Sequence, residues 1–350
     1  MTAEKFRAKR RQKFLTEEYF ERNLKVFKFL MGESENALAE RKEAGDLDPF
    51  GEGGLFQDLL NILKLQYTAG CAIEELRPLF TQAANALGGW HSAEHAYSKW
   101  LATDSGKDLR TDMTPIHFED PFHFQLAIDM VSLAVLLGDG DALRQIAVWT
   151  SSARGTDMLF EYLLSPAVSD LRDNTDFFHT QPYDPLIDAF YTAETPEESS
   201  AYVEKYLDGW YKSFEGVPWH NGHLKATAEY VPYYGYWSFE AAAVCLIHGI
   251  DDASFRDNLV YPKDLADWAR ANRSLSRLKP GAMAEVTSAV TRMRCESGEP
   301  CPREGWWFTP ARPDSRRHFS FGEVMPALGG DYGATIWQWD DSQAASTTEP

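Results

Sequence analysis

From Thr16 to about Ala44, Tyr19, Phe20, Leu24, Phe27, Leu30 and Met31 recur at three- and four-residue spacing, the signature of a helix with one apolar face. Thr16 supplies a hydroxyl acceptor for the helix start, and Gly45 supplies a stop. The apolar positions Leu55, Leu59, Leu60, Ile62, Leu63 and Leu65 predict a second helix ending near Gly70, after a Gly51-Glu52-Gly53-Gly54 linker. A third is expected from Ile73 to about Leu87, where Gly88-Gly89 should end it. Shorter helical patterns follow over 121–137, 142–149, 158–164, 185–191 and 196–214, separated by brief turns. Trp237, Phe239, Ala241, Ala242, Val244 and Cys245 read as a helix buried on more than one face, and 264–271 as another. Short connections of this kind build antiparallel neighbours. The expected fold is therefore mainly α, an array of antiparallel helical pairs. No fixed-period repeat points to a solenoid family.

After Pro280 the period changes. Residues 285–293 alternate apolar and polar, and a turn-rich stretch spans Cys295 to Pro302. Short β-like runs then cover 306–309, 318–321 and 334–339. A unit of this size is expected to have little core of its own and to form a small β-rich appendage packed on the helical body. The chain accordingly divides into an N-terminal helical region (1–120), a C-terminal helical domain (121–279), the β-rich appendage (280–341) and a disordered tail (342–350).

Composition and charge narrow the function. The longest apolar run, Leu126 to Leu137, is too short to span a bilayer and contains Asp129, so it reads as a core helix. The N-terminus turns basic with no apolar segment behind it, which does not match a signal peptide and predicts a cytoplasmic protein. Its basic residues Lys5, Arg7, Lys9, Arg10, Arg11 and Lys13 read as a solvated terminus. They are outweighed by a net charge of −19, which argues against nucleic-acid or anionic-membrane binding. Cys71 and Cys245 fall in apolar helical patterns and read as buried thiols. Cys295 and Cys301 are close enough to pair, but a cytoplasmic address favours reduced thiols.

Catalytic chemistry has one candidate. His91-Ser92-Ala93-Glu94-His95 matches H-x-x-E-H, in which two histidines a helical turn apart bind zinc beside a general-base glutamate. The pattern is short, follows Gly88-Gly89-Trp90 where a helix is expected only to begin, and lacks an evident third ligand. His220 and His223, and His117, His123 and His179, sit among aromatics and read as turn or packing residues. No Gly-x-Ser-x-Gly elbow or phosphate-binding loop is present. The expectation is a protein without catalytic residues, metal or cofactor; the competing reading is a zinc metallopeptidase using His91, Glu94 and His95. Zinc in the purified protein below about 0.2 equivalents would dismiss that competitor.

The second signal is acidic surface. Asp157, Glu161, Asp170, Asp173, Asp176, Asp184, Asp188, Glu194, Glu197, Glu198 and Glu204 lie in one stretch with Arg172 as its only lysine or arginine, interleaved with Phe160, Tyr162, Phe177, Phe178, Tyr183, Phe190 and Tyr191. Asp104, Asp108, Asp112, Glu119 and Asp120 add to it upstream. Singly, such carboxylates are a solvated face. As a patch, carboxylates steer a basic protein partner and aromatics anchor it. The expected contact set is Asp170, Asp173, Asp176, Phe177, Tyr183, Asp184, Asp188 and Glu194.

Residues 233–244, Tyr-Tyr-Gly-Tyr-Trp-Ser-Phe-Glu-Ala-Ala-Ala-Val, are followed by Gly249-Ile250-Asp251-Asp252-Ala253-Ser254-Phe255-Arg256-Asp257 and Tyr261-Pro262-Lys263-Asp264-Leu265. Together they resemble the C-terminal domain of bacterial polymorphic-toxin immunity proteins of the PoNe-immunity type. The resemblance covers about 230–270, and the helical pattern over 10–225 is compatible with that family's other half. It implies a helical fold, no catalysis, and a cognate secreted toxin as partner, expected to be a DNase effector of a type VI secretion system with a basic substrate groove. The toxin would be neutralised by covering or distorting its active region. Tyr236, Trp237, Phe239, Glu240, Asp251, Arg256 and Pro262 carry the motif and are expected to hold the fold, with Arg256 one candidate partner for a half-buried Glu240. The tryptophan-rich 306–310 and 335–340 runs look like an appendage of some type VI immunity proteins, which the core family lacks.

Overall fold

The computed structural model describes residues 3–46, 48–105, 115–172, 174–227, 232–272, 274–278, 294–309, 312, 315–328 and 335–340. The chain forms two compact units, Met1–Ala282 and Met283–Pro350. The first is helical; the second holds a small sheet.

The helical unit opens with α1 (Ala3–Lys9) and α2 (Glu17–Ala44). Thr16 Oγ1 accepts from the Tyr19 amide at the start of α2, and Gly45 closes it in the left-handed conformation, as the sequence predicts. Helix α3 (Pro49–Thr68) starts earlier than expected: Asp48 caps it through the Gly51 amide, so the Gly51–Gly54 stretch is helix, not linker. Helix α4 (Ile73–Ser105) likewise runs through Gly88-Gly89. The reason is packing. A Cβ on Gly53 would lie 2.9 Å from the Trp90 ring, and one on Gly88 would lie 2.5 Å from the Trp149 ring. These glycines are notches for tryptophans, and the contact outweighs their weak helix propensity. Helix α3 packs along both α2 and α4.

Helix α5 (Pro121–Leu137) is the centre of the unit, buried from Phe124 to Leu137. Around it pack α4, α6 (Gly140–Trp149), α7 (Met158–Leu164), α10 (Phe239–His248), α11 (Lys263–Ala271) and α12 (Ser274–Arg277). Helices α8 (Thr180–Tyr191) and α9 (Pro196–Ser213) pair with each other. Asp129 in the middle of α5 is fully buried and salt-bridged to Lys64 of α3. Two buried charges tie these helices in one register, because either alone would be costly to bury.

Residues 233–238 precede α10 as a buried segment that is neither helix nor strand. Its polar backbone groups still need partners, and side chains distant in sequence provide them. Gln12 Nε2 donates to the Tyr236 carbonyl (2.6 Å) and the Leu259 carbonyl (2.9 Å), while Gln12 Oε1 accepts from the Tyr236 amide (2.9 Å). Asn23 of α2 donates to the Tyr233 carbonyl, and Thr68 of α3 to the Tyr234 carbonyl. The basic N-terminus is consequently not a solvated tail. Phe6 is 1% exposed, and Arg11 salt-bridges Asp264 at 2.9 Å, donates to the Tyr67 and Cys71 carbonyls and stacks on the Tyr67 ring.

In the second unit an antiparallel sheet has the order β1 (Arg294–Glu296), β4 (Ile336–Trp339), β2 (Gly305–Phe308), β3 (Arg317–Phe319). Contrary to expectation it has a core of its own: Cys295, Cys301, Trp307, Phe319, Met325, Trp337 and Trp339 are buried together. Three tryptophans supply the area that a short chain otherwise lacks. Both cysteines in this core are free thiols, as are Cys71 and Cys245. The alternating run at 285–293 and the tail at 342–350 lie outside the described residues. No helix among the described residues is long and apolar enough to cross a membrane.

Gly235 has φ +115°, and a Cβ there would sit 2.1 Å from Thr68 Oγ1 and 2.3 Å from Trp237 Nε1. Gly235→Ala therefore combines backbone strain with displacement of buried hydrogen bonds. It should cost at least about 2 kcal/mol, measured as a lower urea midpoint at unchanged m-value.

Candidate partner-binding surface

The acidic stretch separates into carboxylates that build the fold and carboxylates at the surface. Asp157, 1% exposed, caps α7 by accepting from the Phe160 amide and also holds the Phe178 amide. Burial pushes its pKa up to about 6 against those bonds. Glu161 is buried and takes a two-point contact from Arg154 at 2.7 and 3.1 Å, plus the Gly155 amide. Glu198 reaches back to the Glu194 amide at the start of α9. Arg154, just upstream of the stretch, is thus the internal cation that a reading confined to 157–204 misses. Asp120 is likewise structural, capping α5 through the Phe122 and His123 amides.

Of the expected contact set, Asp170, Asp176 and Glu194 are exposed, and Phe177, Asp184 and Asp188 are half-buried. Asp184 and Asp188 lie one turn apart on α8; burial and the Asp188 charge raise the Asp184 pKa, and Lys205 of α9 opposes them. Asp170 lies 3.8 Å from Arg154. Tyr183 is only 2% exposed, on the inner side of α8, and is not available to a partner in this conformation. Asp173, Asp108 and Asp112 lie outside the described residues.

The motif residues Tyr236, Trp237, Phe239, Glu240 and Pro262 are buried, and Asp251 is exposed. Glu240 does not pair with Arg256. Its Oε1 accepts from Tyr206 OH (2.6 Å), Trp210 Nε1 (2.8 Å) and Ser238 Oγ (2.9 Å), which joins α9 to α10. Arg256 instead bonds Asp252 and Asp267 at the surface side of the 251–257 turn. The reason is burial: Glu240 is deep among aromatics whose polar tips reach it, and a guanidinium there would need further acceptors. Burial, then the charge of Asp129, pushes the Glu240 pKa up to about 7, against the pull of the Tyr206 and Trp210 hydrogen bonds.

The H-x-x-E-H sequence sits within α4, not at a helix start. The His91 and His95 rings stack with centroids 6.5 Å apart, and Glu94 Oε1 accepts from Trp90 Nε1 at 3.4 Å. Burial lowers the His91 pKa, and the neighbouring His95 lowers it further. No group of three or more His, Cys, Asp or Glu side chains among the described residues is placed to hold a metal ion. Among the described residues no third ligand for a metallopeptidase is assembled there.

Comparison with known proteins agrees with this picture. Residues 155–265 match the family described as PoNe immunity proteins (PoNi), C-terminal. The match contains the 233–265 motif and extends upstream over the acidic stretch. The crystal structure of protein PA2201 from Pseudomonas aeruginosa is similar in fold, with a TM-score of 0.59 and 19% identity over 75% of this chain and 92% of that one. No curated protein matches the chain.

Glu240 gives the core a pH dependence of definite sign. An unfolded glutamate titrates near 4.5 and Glu240 in the fold near 7, so the folded chain holds an extra proton between those values. The stability this contributes is fully present below about 4.5 and is lost as pH rises through 7. Glu240→Gln keeps the Oε1 acceptor but has no charge to bury. Relative to wild type it should gain on the order of 3 kcal/mol between pH 4.5 and 8, measured as the difference between two denaturation series. A difference that is flat with pH would place Glu240 outside this role.

Proposed function

We propose that this chain is an immunity protein that binds and neutralises a cognate secreted toxin, a DNase effector of a type VI secretion system, inside the producing cell. The family match over 155–265 carries the immunity reading. The DNase assignment is supported by charge: a net of −19 complements an enzyme whose substrate groove must be basic. The exposed carboxylates Asp170, Asp176 and Glu194, with half-buried Asp184 and Asp188, form the surface proposed to approach that groove. Binding there either covers the groove or holds the toxin in an inactive shape. The chain's role is binding, and no residue is assigned to catalysis.

The test is co-expression with the C-terminal domain of the toxin encoded beside this gene. A stoichiometric complex that has lost plasmid-degrading activity is expected; an active toxin with no complex would sink the pairing. Within the complex, Asp176→Lys, Asp184→Lys, Asp188→Lys and Glu194→Lys combined should slow association by about tenfold or more at low salt, with less change in dissociation. The salt dependence should weaken in parallel. Unchanged association kinetics would remove this surface from the interface.

A further inference from the structure

Between the start of α5, the entry to α8 and the loop after α9 lies a cleft of about 360 Å³. Half-buried Phe122 and His179 contribute aromatic walls over the buried Tyr183 and Phe214, Asp120 and Glu215 contribute carboxylates, and no lysine or arginine lines it. The volume is at the low end for a ligand pocket and suits one long side chain. Asp120 already offsets the positive end of the α5 dipole by accepting the Phe122 and His123 amides at 2.8 and 2.9 Å, and its negative charge remains beside the cleft. His179 Nε2 donates to the Phe118 carbonyl at 2.7 Å, which fixes the ring at the cleft wall. The cleft thus offers an aromatic face, two carboxylates and an imidazole ring.

That combination complements a planar cation with a fork of donors. A guanidinium stacks on aromatic rings and bonds carboxylates with directed N–H groups, whereas a lysine ammonium exploits the charge but not the flat faces. We propose that the cleft seats an arginine side chain of the toxin, its guanidinium against the Phe122 ring and within reach of Asp120 and Glu215. This rests on the immunity reading for the identity of the partner, and it adds a specific anchor to the diffuse acidic surface on α8. The anchor sits in a concave, partly desolvated site, where an interface concentrates its binding energy.

The probe is the capped tripeptide acetyl-Gly-Arg-Gly-amide, titrated into the full-length protein with 15N-labelled histidine, with the citrulline peptide as a neutral control of nearly the same shape. The arginine peptide is expected to shift the His179 imidazole resonances saturably at millimolar concentration. The citrulline peptide should bind about tenfold more weakly or not at all, and Glu215→Gln should weaken the arginine peptide several-fold. Equal shifts from both peptides, or no saturable shift from either, would overturn the proposal. With the toxin domain, Val217→Arg places a cation in the cleft and should weaken the complex at least about tenfold. Wild type and variant binding the toxin equally would overturn the arginine seat and leave the immunity reading standing. A toxin that binds neither protein would remove the immunity reading, and the peptide titration still decides the chemistry of the cleft.

Discussion

The helical unit depends on burying an irregular segment without leaving its backbone unsatisfied. Residues 233–238 pass through the interior as an irregular, buried segment with no strand pairing. Gln12 acts in place of a neighbouring strand, donating to one carbonyl and accepting from one amide of the same residue, Tyr236. Asn23 and Thr68 do the same work for the Tyr233 and Tyr234 carbonyls. Each of these hydrogen bonds is worth little net, but removing a partner would expose a buried polar group to the full desolvation cost. The connection before α2, α2 itself and α3 are therefore bound to the segment that leads into α10. The N-terminal helices and the motif-bearing helices are one body for this reason.

This constraint explains what the sequence revealed and what it withheld. Apolar periodicity matches α2, α5 and α7, because their cores are continuous and their starts carry ordinary caps, such as Thr16 and Asp120; α10 begins only at Phe239, without a side-chain cap, so Trp237 lies ahead of the helix expected to hold it. Gly51–Gly54 and Gly88-Gly89 misled because glycine signals two opposite things: backbone freedom, or space for a neighbour. At Gly53 and Gly88 the positions of Trp90 and Trp149 decide between them, and those are tertiary facts. The basic N-terminus was misread for a related reason. A run of Lys and Arg has the composition of a solvated end, and nothing local announces that Asp264 and the Tyr67 ring wait for Arg11. The β-rich unit was recognised from alternation, but its independent core follows from how three tryptophans converge, which strand patterning does not show.

The acidic stretch shows the limit more sharply. Counting carboxylates treats Asp157, Glu161, Asp176 and Asp188 alike, yet the first two are interior and the others lie at or near the surface. Asp157 is spent on amides of α7 and the segment before α8; Glu161 is spent on Arg154. A cap has a recognisable position ahead of an apolar run, so Asp157 was legible in principle. Glu161 was not, since its partner lies outside the stretch and across a turn. Tyr183 neighbours acids in the sequence, but its place in the α8 pattern puts it on the packed side.

Burial of the motif bears on how such a protein is built to recognise a partner. The side chains of Tyr236, Trp237, Phe239 and Glu240 are committed inward, to His223, Thr68, Tyr67, and Tyr206 with Trp210, respectively. Side chains spent in this way cannot also contact a partner, so the residues that carry the resemblance are not free to set specificity. Under the proposed function, selection falls to groups that the scaffold positions but does not consume, such as the exposed carboxylates Asp170, Asp176 and Glu194. Substitutions there alter few buried contacts and so cost little stability. A fold whose interior is fixed by side-chain-to-backbone bonds can therefore change its surface while keeping its core.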